Sequence, residues 1–216
     1  MSNWNNFKKI MRDLEQKEDN FSGNLLVARP SLLDPNFCRT VILLSMHSPD
    51  EGAMGVILNR PTGKTIGEHN KEFQFSPISE TPVYQGGPVG TEQFMLAAWR
   101  WPSQVNAFEL HFGVTQDKLG ELKTKYSDLE ARCFVGHSGW SPQQLEKEIQ
   151  HQAWMVSTMR LDLLCQHQGV DLWKKVACDL NPDLRIEVEA PDDPSRNWLA
   201  NFKPRKIPES LILKRL

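Results

Sequence analysis

Between Gly23 and Trp140, short runs of Val, Ile, Leu and Ala alternate with clusters of Gly, Pro, Asn and Asp. Brief apolar runs bounded by turn formers read as strands, so this punctuation constrains the chain to a sheet-based fold. Leu25–Ala28 and Thr40–Met46 are two such runs, separated by the turn-forming RPSLLDPN. Ser48-Pro49-Asp50-Glu51-Gly52 is dense in turn formers and leads into Ala53–Asn59. Thr40–Asn59 is therefore expected as an antiparallel hairpin with a loop of about five residues. Arg60-Pro61-Thr62-Gly63 is expected to break the sheet, and residues 64–82 to form a loop with a short helix. Pro82–Tyr84 runs into Gln85-Gly86-Gly87-Pro88, and Phe94–Trp99, Val105–Phe112 and Trp154–Thr158 read as strands. Arg132–Val135 is a short strand entering Gly136-His137-Ser138-Gly139-Trp140.

Helical spacing occupies the remaining segments. Trp4, Phe7, Ile10, Met11 and Leu14 recur with charged residues between them, giving an amphipathic N-terminal helix within residues 1–20. Residues 116–130 carry Leu119, Leu122 and Leu129 in a polar stretch and read as helical despite Gly120. Ser141 can cap a following helix, Pro142 suits its first position and Gln144 can complete a capping box. Leu145, Ile149 and Ala153 would form its buried stripe, with Glu146, Lys147 and Glu148 facing water. A last helix from about Val170 puts Val170, Trp173, Val176, Ala177 and Leu180 on one side and ends at Asn181-Pro182. Beyond it, five prolines (182, 191, 194, 204 and 208) mark an extension over 181–216. In that extension Leu184, Ile186 and Val188 alternate as in an edge strand, Trp198 and Phe202 are candidate anchors, and the end is basic. The reading is one α+β domain over 1–180 followed by this extension.

Of the 216 residues, 39% are hydrophobic and 24% charged, with a formal net charge of −2. Such a chain is neither disordered nor membrane-embedded, and it lacks the general basic charge that would hold DNA or anionic lipid. The N-terminus has no continuous apolar core after its charges, so no secretory leader is read there. Cys38, Cys133, Cys165 and Cys178 lie far apart without a C-x-x-C, which fits free thiols in a reducing cytoplasm.

Signatures of known chemistry are sparse. Gly63-Lys64-Thr65 is no phosphate loop, because the glycine required five positions earlier is Leu58. No H-E-x-x-H or G-x-S-x-G occurs. Cys133, Val135 and His137 share one strand face, but the tight paired spacings of a zinc site are missing, so no metal and no cofactor are expected. His47, paired in space with a thiol such as Cys38, is the one catalytic arrangement the residues leave open.

Four segments recur in a fixed order: GNLLVARPSLLDPNFCRTVILL, HSPDEGAMGVILNRP, VYQGGPVGTEQFML, and GHSGWSPQQLEKEIQHQAW followed by LW. Across residues 22–180 this ordered set resembles the YqgE/AlgH family of bacterial proteins. The resemblance implies an α+β fold with antiparallel and mixed strands in a pseudo-barrel flanked by helices, and cytosolic residence. It implies no agreed reaction, although one branch is linked to alginate regulation. This chain departs from the family pattern at several points. Met46, where an acidic residue is common, precedes His47 and argues against a carboxylate–imidazole pair; Ser45, Ala97 and His137 also differ.

The matching positions are rich in residues that shape corners and poor in nucleophiles. His47, Asn59, Arg60, Gly86, Gly87, Pro88, Gly136 and Trp140 form the candidate site. Glycine corners with exposed amides and one cation can hold a small anionic ligand or a partner's peptide. They equally close a tightly curved sheet, and Trp140 reads as core. The first functional expectation is a non-catalytic cytoplasmic binding or regulatory protein for a small ligand or a protein partner. The second is an enzyme using His47, with or without a thiol, on a small substrate, and the third, suggested by the family's regulatory association and the basic C-terminal end, is a nucleic-acid-binding regulator.

Overall fold

The computed structural model describes residues 20–102, 109–159, 164 and 166–190. The helix expected within 1–20, Val105 and its neighbours, Cys165, and the chain beyond 190 lie outside the described residues. Among the described residues nine strands form one mixed sheet, curled into a half-barrel with flanking helices, as the fold reading expected.

The strands are β1 (Leu25–Ala28), β2 (Val41–Ser48), β3 (Gly52–Ile57), β4 (Pro61–Thr65), β5 (Pro82–Gln85), β6 (Val89–Arg100), β7 (Glu109–Phe112), β8 (Glu130–Trp140) and β9 (Trp154–Ser157). The helices are α1 (Ile66–His69), α2 (Gln116–Lys125), α3 (Gln144–Gln150), α4 (Gly169–Leu180) and α5 (Arg185–Glu189). The order is β4-β5-β8-β3-β2-β1-β9, with β6 paired to β8 and β7 paired to β6. Among the described residues no helix is long and apolar enough to cross a membrane.

The run of β1 and the runs of β2 and β3 became adjacent strands because all three are apolar on both faces. Leu25–Ala28, Val41–Leu44 and Val56–Leu58 are all essentially inaccessible to water. The β2–β3 hairpin is tighter than expected, with Ser48 opposite Gly52. α4 closes this face with Leu172, Trp173, Val176 and Ala177, and the Trp173 indole donates to the Ala28 carbonyl oxygen at 2.6 Å. A second, smaller cluster lies on the other face: Ile66, Ile78, Val83, Ala98, Leu119 and Cys133.

Four expectations need correction. Pro61–Thr65 does not break the sheet but runs as β4 along β5, and its Pro and Lys suit an edge. Arg132–Val135 is only part of an eleven-residue strand that continues through Gly136 and Gly139 to Trp140. Leu184, Ile186 and Val188 form no strand: Pro182–Leu184 is a 3-10 turn and α5 follows. Val170 and Leu180 lie 43% and 38% exposed, and Leu172 takes the buried place on α4 instead.

β8 is the axis of the architecture. Cys133, Phe134 and Val135 lie opposite Val83, Tyr84 and Gln85 of β5 and also opposite Leu96, Met95 and Phe94 of β6. A residue paired twice has its partners on opposite edges, so β5 and β6 flank β8. The chain linking them, Gly86-Gly87-Pro88, therefore crosses β8. Beyond the crossing, Ser138, Gly139 and Trp140 pair with β3.

Candidate functional site

The eight candidate residues do not converge on one cleft; the sheet distributes them over three places. Gly86, Gly87 and Gly136 meet at the crossing. Gly136 has φ +69°, and a Cβ there would stand 2.5 Å from the Gly87 carbonyl oxygen. A Cβ on Gly87 would overlap the His137 carbonyl, and one on Gly86 the Gly136 carbonyl oxygen. Main chain thus fills the space that a ligand would need. The Gly86 amide donates to Val135 and its carbonyl accepts from the Ile57 amide, so these amides and carbonyls are spent inside the sheet. Pro88 follows at the surface and carries the chain into β6.

Asn59 and Arg60 lie at the far end of β3. The buried Asn59 amide accepts from Val41 N–H at 2.9 Å and donates to the Arg39 and Gly169 carbonyl oxygens at 2.9 and 3.0 Å. It ties the loop before β2 to the start of α4. The Arg60 guanidinium donates to the carbonyl oxygens of Pro35 and Cys38 at 3.1 and 3.4 Å.

His47 and Trp140 lie at the opposite end of β3, both in register with Ala53. Here the sequence reading missed the partners, because it left Glu146 and Glu148 facing water. Both reach back to the sheet from α3. Glu146 Oε1 lies 3.1 Å from His47 Nε2, so the imidazole does have a carboxylate neighbour, supplied by a helix 99 positions away rather than by residue 46. The Phe21 amide donates to His47 Nδ1 at 3.2 Å, which leaves the side chain 1% exposed with both nitrogens occupied. Glu148 Oε2 accepts from the indole N–H groups of Trp140 at 2.9 Å and Trp154 at 2.7 Å. Phe37 packs on both indoles, with centroids at 6.3 and 5.8 Å. Trp140 is a core residue, 6% exposed.

The cap expected at Ser141 is also different. β8 runs to Trp140, so Ser141-Pro142-Gln143 is spent on the turn, and Gln143 precedes α3 in a left-handed conformation with φ 60°. One half of the box survives, since Ser141 N–H donates to Gln144 Oε1 at 3.0 Å.

Among the described residues no thiol joins His47. Cys38 sits at the other end of the sheet, with its sulfur 4.0 Å from the Pro35 carbonyl oxygen. Burial pushes the Cys133 thiol from 9.0 up to about 12. Among the described residues no group of three His, Cys, Asp or Glu is placed to hold a metal ion. Two surface grooves, of about 570 and 450 Å³, flank residues 71–80; neither is lined by a candidate residue.

What the sequence did not flag is the open half of β6. Val89 is opposite His137 and the next pair is Phe94 with Val135, so residues 90–93 bulge from the ladder. On the outer edge β7 reaches only from Arg100 to Ala97, and the Val114 amide adds one bond to Leu96. Val89 and Phe94 are 46% and 42% exposed, and the Phe94 ring has His69 edge-on at 5.4 Å.

Residues 25–185 match the sequence model of the family described as AlgH-like. The chain belongs to the AlgH-like family. It is 33% identical over 174 residues to a UPF0301 protein of Thioalkalivibrio sulfidiphilus, covering 77% of this chain and 93% of that one. A UPF0301 protein of Streptomyces coelicolor is also 33% identical, over 82% of this chain and 95% of its own. Among solved structures, the AlgH protein from Pseudomonas aeruginosa superposes with a TM-score of 0.57 at 24% identity, covering 81% of this chain and 96% of that one. A protein from Corynebacterium diphtheriae gives 0.61 at 25% identity, covering 78% and 91%. The resemblance read from the ordered segments is thereby confirmed, as is the AlgH-like fold.

Two consequences of this geometry are measurable in the AlgH-like chain. Glu148→Ala leaves two largely buried indole donors without an acceptor and is expected to cost about 3 kcal/mol, against about 1 kcal/mol for Glu148→Gln. Urea midpoints of the two variants check the difference. The raised Cys133 thiol also makes stability fall at high pH. Between about pH 9 and 12 the unfolded chain has released this proton while the folded chain keeps it, so stability drops by up to about 1.4 kcal/mol per pH unit. Lys123 acts oppositely, since burial lowers its ammonium below the usual lysine value and Glu80 offsets this only in part. The comparison of wild type with Cys133→Ala isolates the thiol, and the variant is expected to show the shallower alkaline decline.

Proposed function

We propose that this chain is a non-catalytic cytoplasmic protein that works by docking a protein partner, with the open half of β6 as the recognition surface. The carrying observation is the stretch Val89–Phe94. Its two apolar side chains are almost half exposed, and no strand covers its outer edge among the described residues. A free strand edge beside exposed apolar side chains is the surface to which an extended segment of another protein adds, main-chain bonds giving affinity and side chains selectivity. A partner protein is favoured over a small ligand because the glycine corner once expected to cradle that ligand is filled by its own main chain. Binding is favoured over catalysis because both His47 nitrogens are engaged and the buried Cys133 thiol stays protonated at neutral pH. A regulatory role follows as the effect of such docking on the partner.

Photo-crosslinking in cells tests this reading. A photoreactive residue at Val89 or Phe94 is expected to trap one defined protein adduct, and the same residue at the exposed Glu121 to trap none. Absence of adducts from both β6 positions overturns the docking surface. Turnover of any small ester, phosphate or thiol substrate that disappears in His47→Ala overturns the non-catalytic reading.

A further inference from the structure

The hydrogen bonds around His47 do more than hold it in place. Phe21 N–H donates to Nδ1 at 3.2 Å, so Nδ1 carries a lone pair and no proton. The single ring proton therefore sits on Nε2, where the Glu146 carboxylate accepts it at 3.1 Å. Two partners thus select one tautomer of the neutral ring. Among the described residues, the groups bonded to or paired with His47 are Glu146 from α3, Phe21 and Ser22 from the segment entering β1, and Ala53 across the β2–β3 pairing. Of these only Glu146 is ionisable.

The geometry points to a proton-operated latch: neutral His47 fastens Phe21 to β2, and protonation of the ring releases it. A second proton has one place to go, Nδ1. There it meets the Phe21 amide, donor against donor, at a residue only 4% exposed. On its other side the imidazolium gains, because the bond to the Glu146 carboxylate becomes an ion pair. The ring is held by the carboxylate, so the Phe21 side yields, and with it the tilted packing of the Phe21 ring on the imidazole at 4.9 Å. The release is bounded on the domain side. Gly23 N–H donates to Leu44 O at 2.8 Å, and Leu44 N–H to Asn24 O at 3.0 Å, and neither bond involves a titrating group. His47 N–H also donates to Ser22 Oγ at 2.8 Å independently of the ring, so the attachment that changes when the ring takes up its second proton is that of Phe21.

Nuclear magnetic resonance on the full ¹⁵N-labelled chain, followed through an acid titration from mildly alkaline pH, tests the latch. At the upper end the His47 ring nitrogens are expected to report the tautomer protonated at Nε2; the Nδ1-protonated tautomer overturns the proposal. As the ring titrates, exchange of the Phe21 amide, corrected for its intrinsic pH dependence, is expected to rise roughly fivefold, the loss of one hydrogen bond. Gly23 exchange is expected to stay flat. His47→Asn places a non-titrating acceptor near the Nδ1 position and should hold Phe21 equally at both ends of the range. Phe21 exchange that ignores the wild-type titration, or that follows the same profile in His47→Asn, overturns the latch.

Discussion

Gly136→Ala is expected to destabilise the fold by about 4 kcal/mol, and Gly87→Ala by a similar amount. At Gly136 two costs add. A left-handed conformation costs a residue with a Cβ roughly 1–2 kcal/mol, and forcing an atom into packed main chain costs roughly 1–3 more. The obstacle at 2.5 Å is the Gly87 carbonyl oxygen, part of the strand crossing, and it cannot swing aside as a flexible side chain would. At Gly87 the overlap is with the carbonyl of His137 itself. Gly63→Ala is the control. It also has a positive φ, +74°, but nothing lies within 4 Å of its added carbon, so it is expected to cost about 1 kcal/mol. Denaturant midpoints of the three variants decide the matter: equal losses at positions 63 and 136 would refute the close crossing.

Asn59→Asp is the second large effect. The substitution is nearly isosteric, and it replaces a donor by a charged acceptor facing two carbonyl oxygens in a site 4% exposed. Two hydrogen bonds become repulsions while the Val41 bond survives, so a loss of about 4 kcal/mol at neutral pH is expected. The sign of its pH dependence follows. The buried Asp carboxyl would titrate above its unfolded value, so the folded state takes up a proton first and part of the loss is recovered as the pH falls. A denaturation series for Asn59→Asp that is indifferent to acid would contradict the bonding assigned to this residue.

Much of this architecture is written in local patterns, and its failures have physical causes. β1, β2 and β3 were legible because a strand buried on both faces needs an unbroken apolar run. β4 was not, since PTGKT is an exposed edge with no apolar face to show. β8 was cut short because glycine ordinarily punctuates, whereas Gly136 and Gly139 lie within the strand. Residues 184–188 deceived by arithmetic. Apolar residues at the first, third and fifth positions satisfy a period of two, yet the first and last also share one helical face. Leu184 and Val188 are buried while Ile186 is 86% exposed, which is the helical outcome. The candidate site was legible residue by residue and illegible as a constellation. Nothing local to His47 or Trp140 names Glu146 or Glu148, and only the pairing of β2, β3 and β8 brings α3 over them.

The arrangement around β8 also orders events during synthesis. β5 and β6 leave the ribosome before residue 130, yet the edges they pair with belong to a strand that has not been made. β3 likewise waits for Ser138–Trp140. The nascent chain therefore carries β3, β5 and β6 with one edge each unpaired until residues 130–140 emerge, and such edges are what cellular folding assistants recognise. Completion of one late strand converts them together, so assembly of this protein is expected to be abrupt and post-central rather than gradual from the N-terminus.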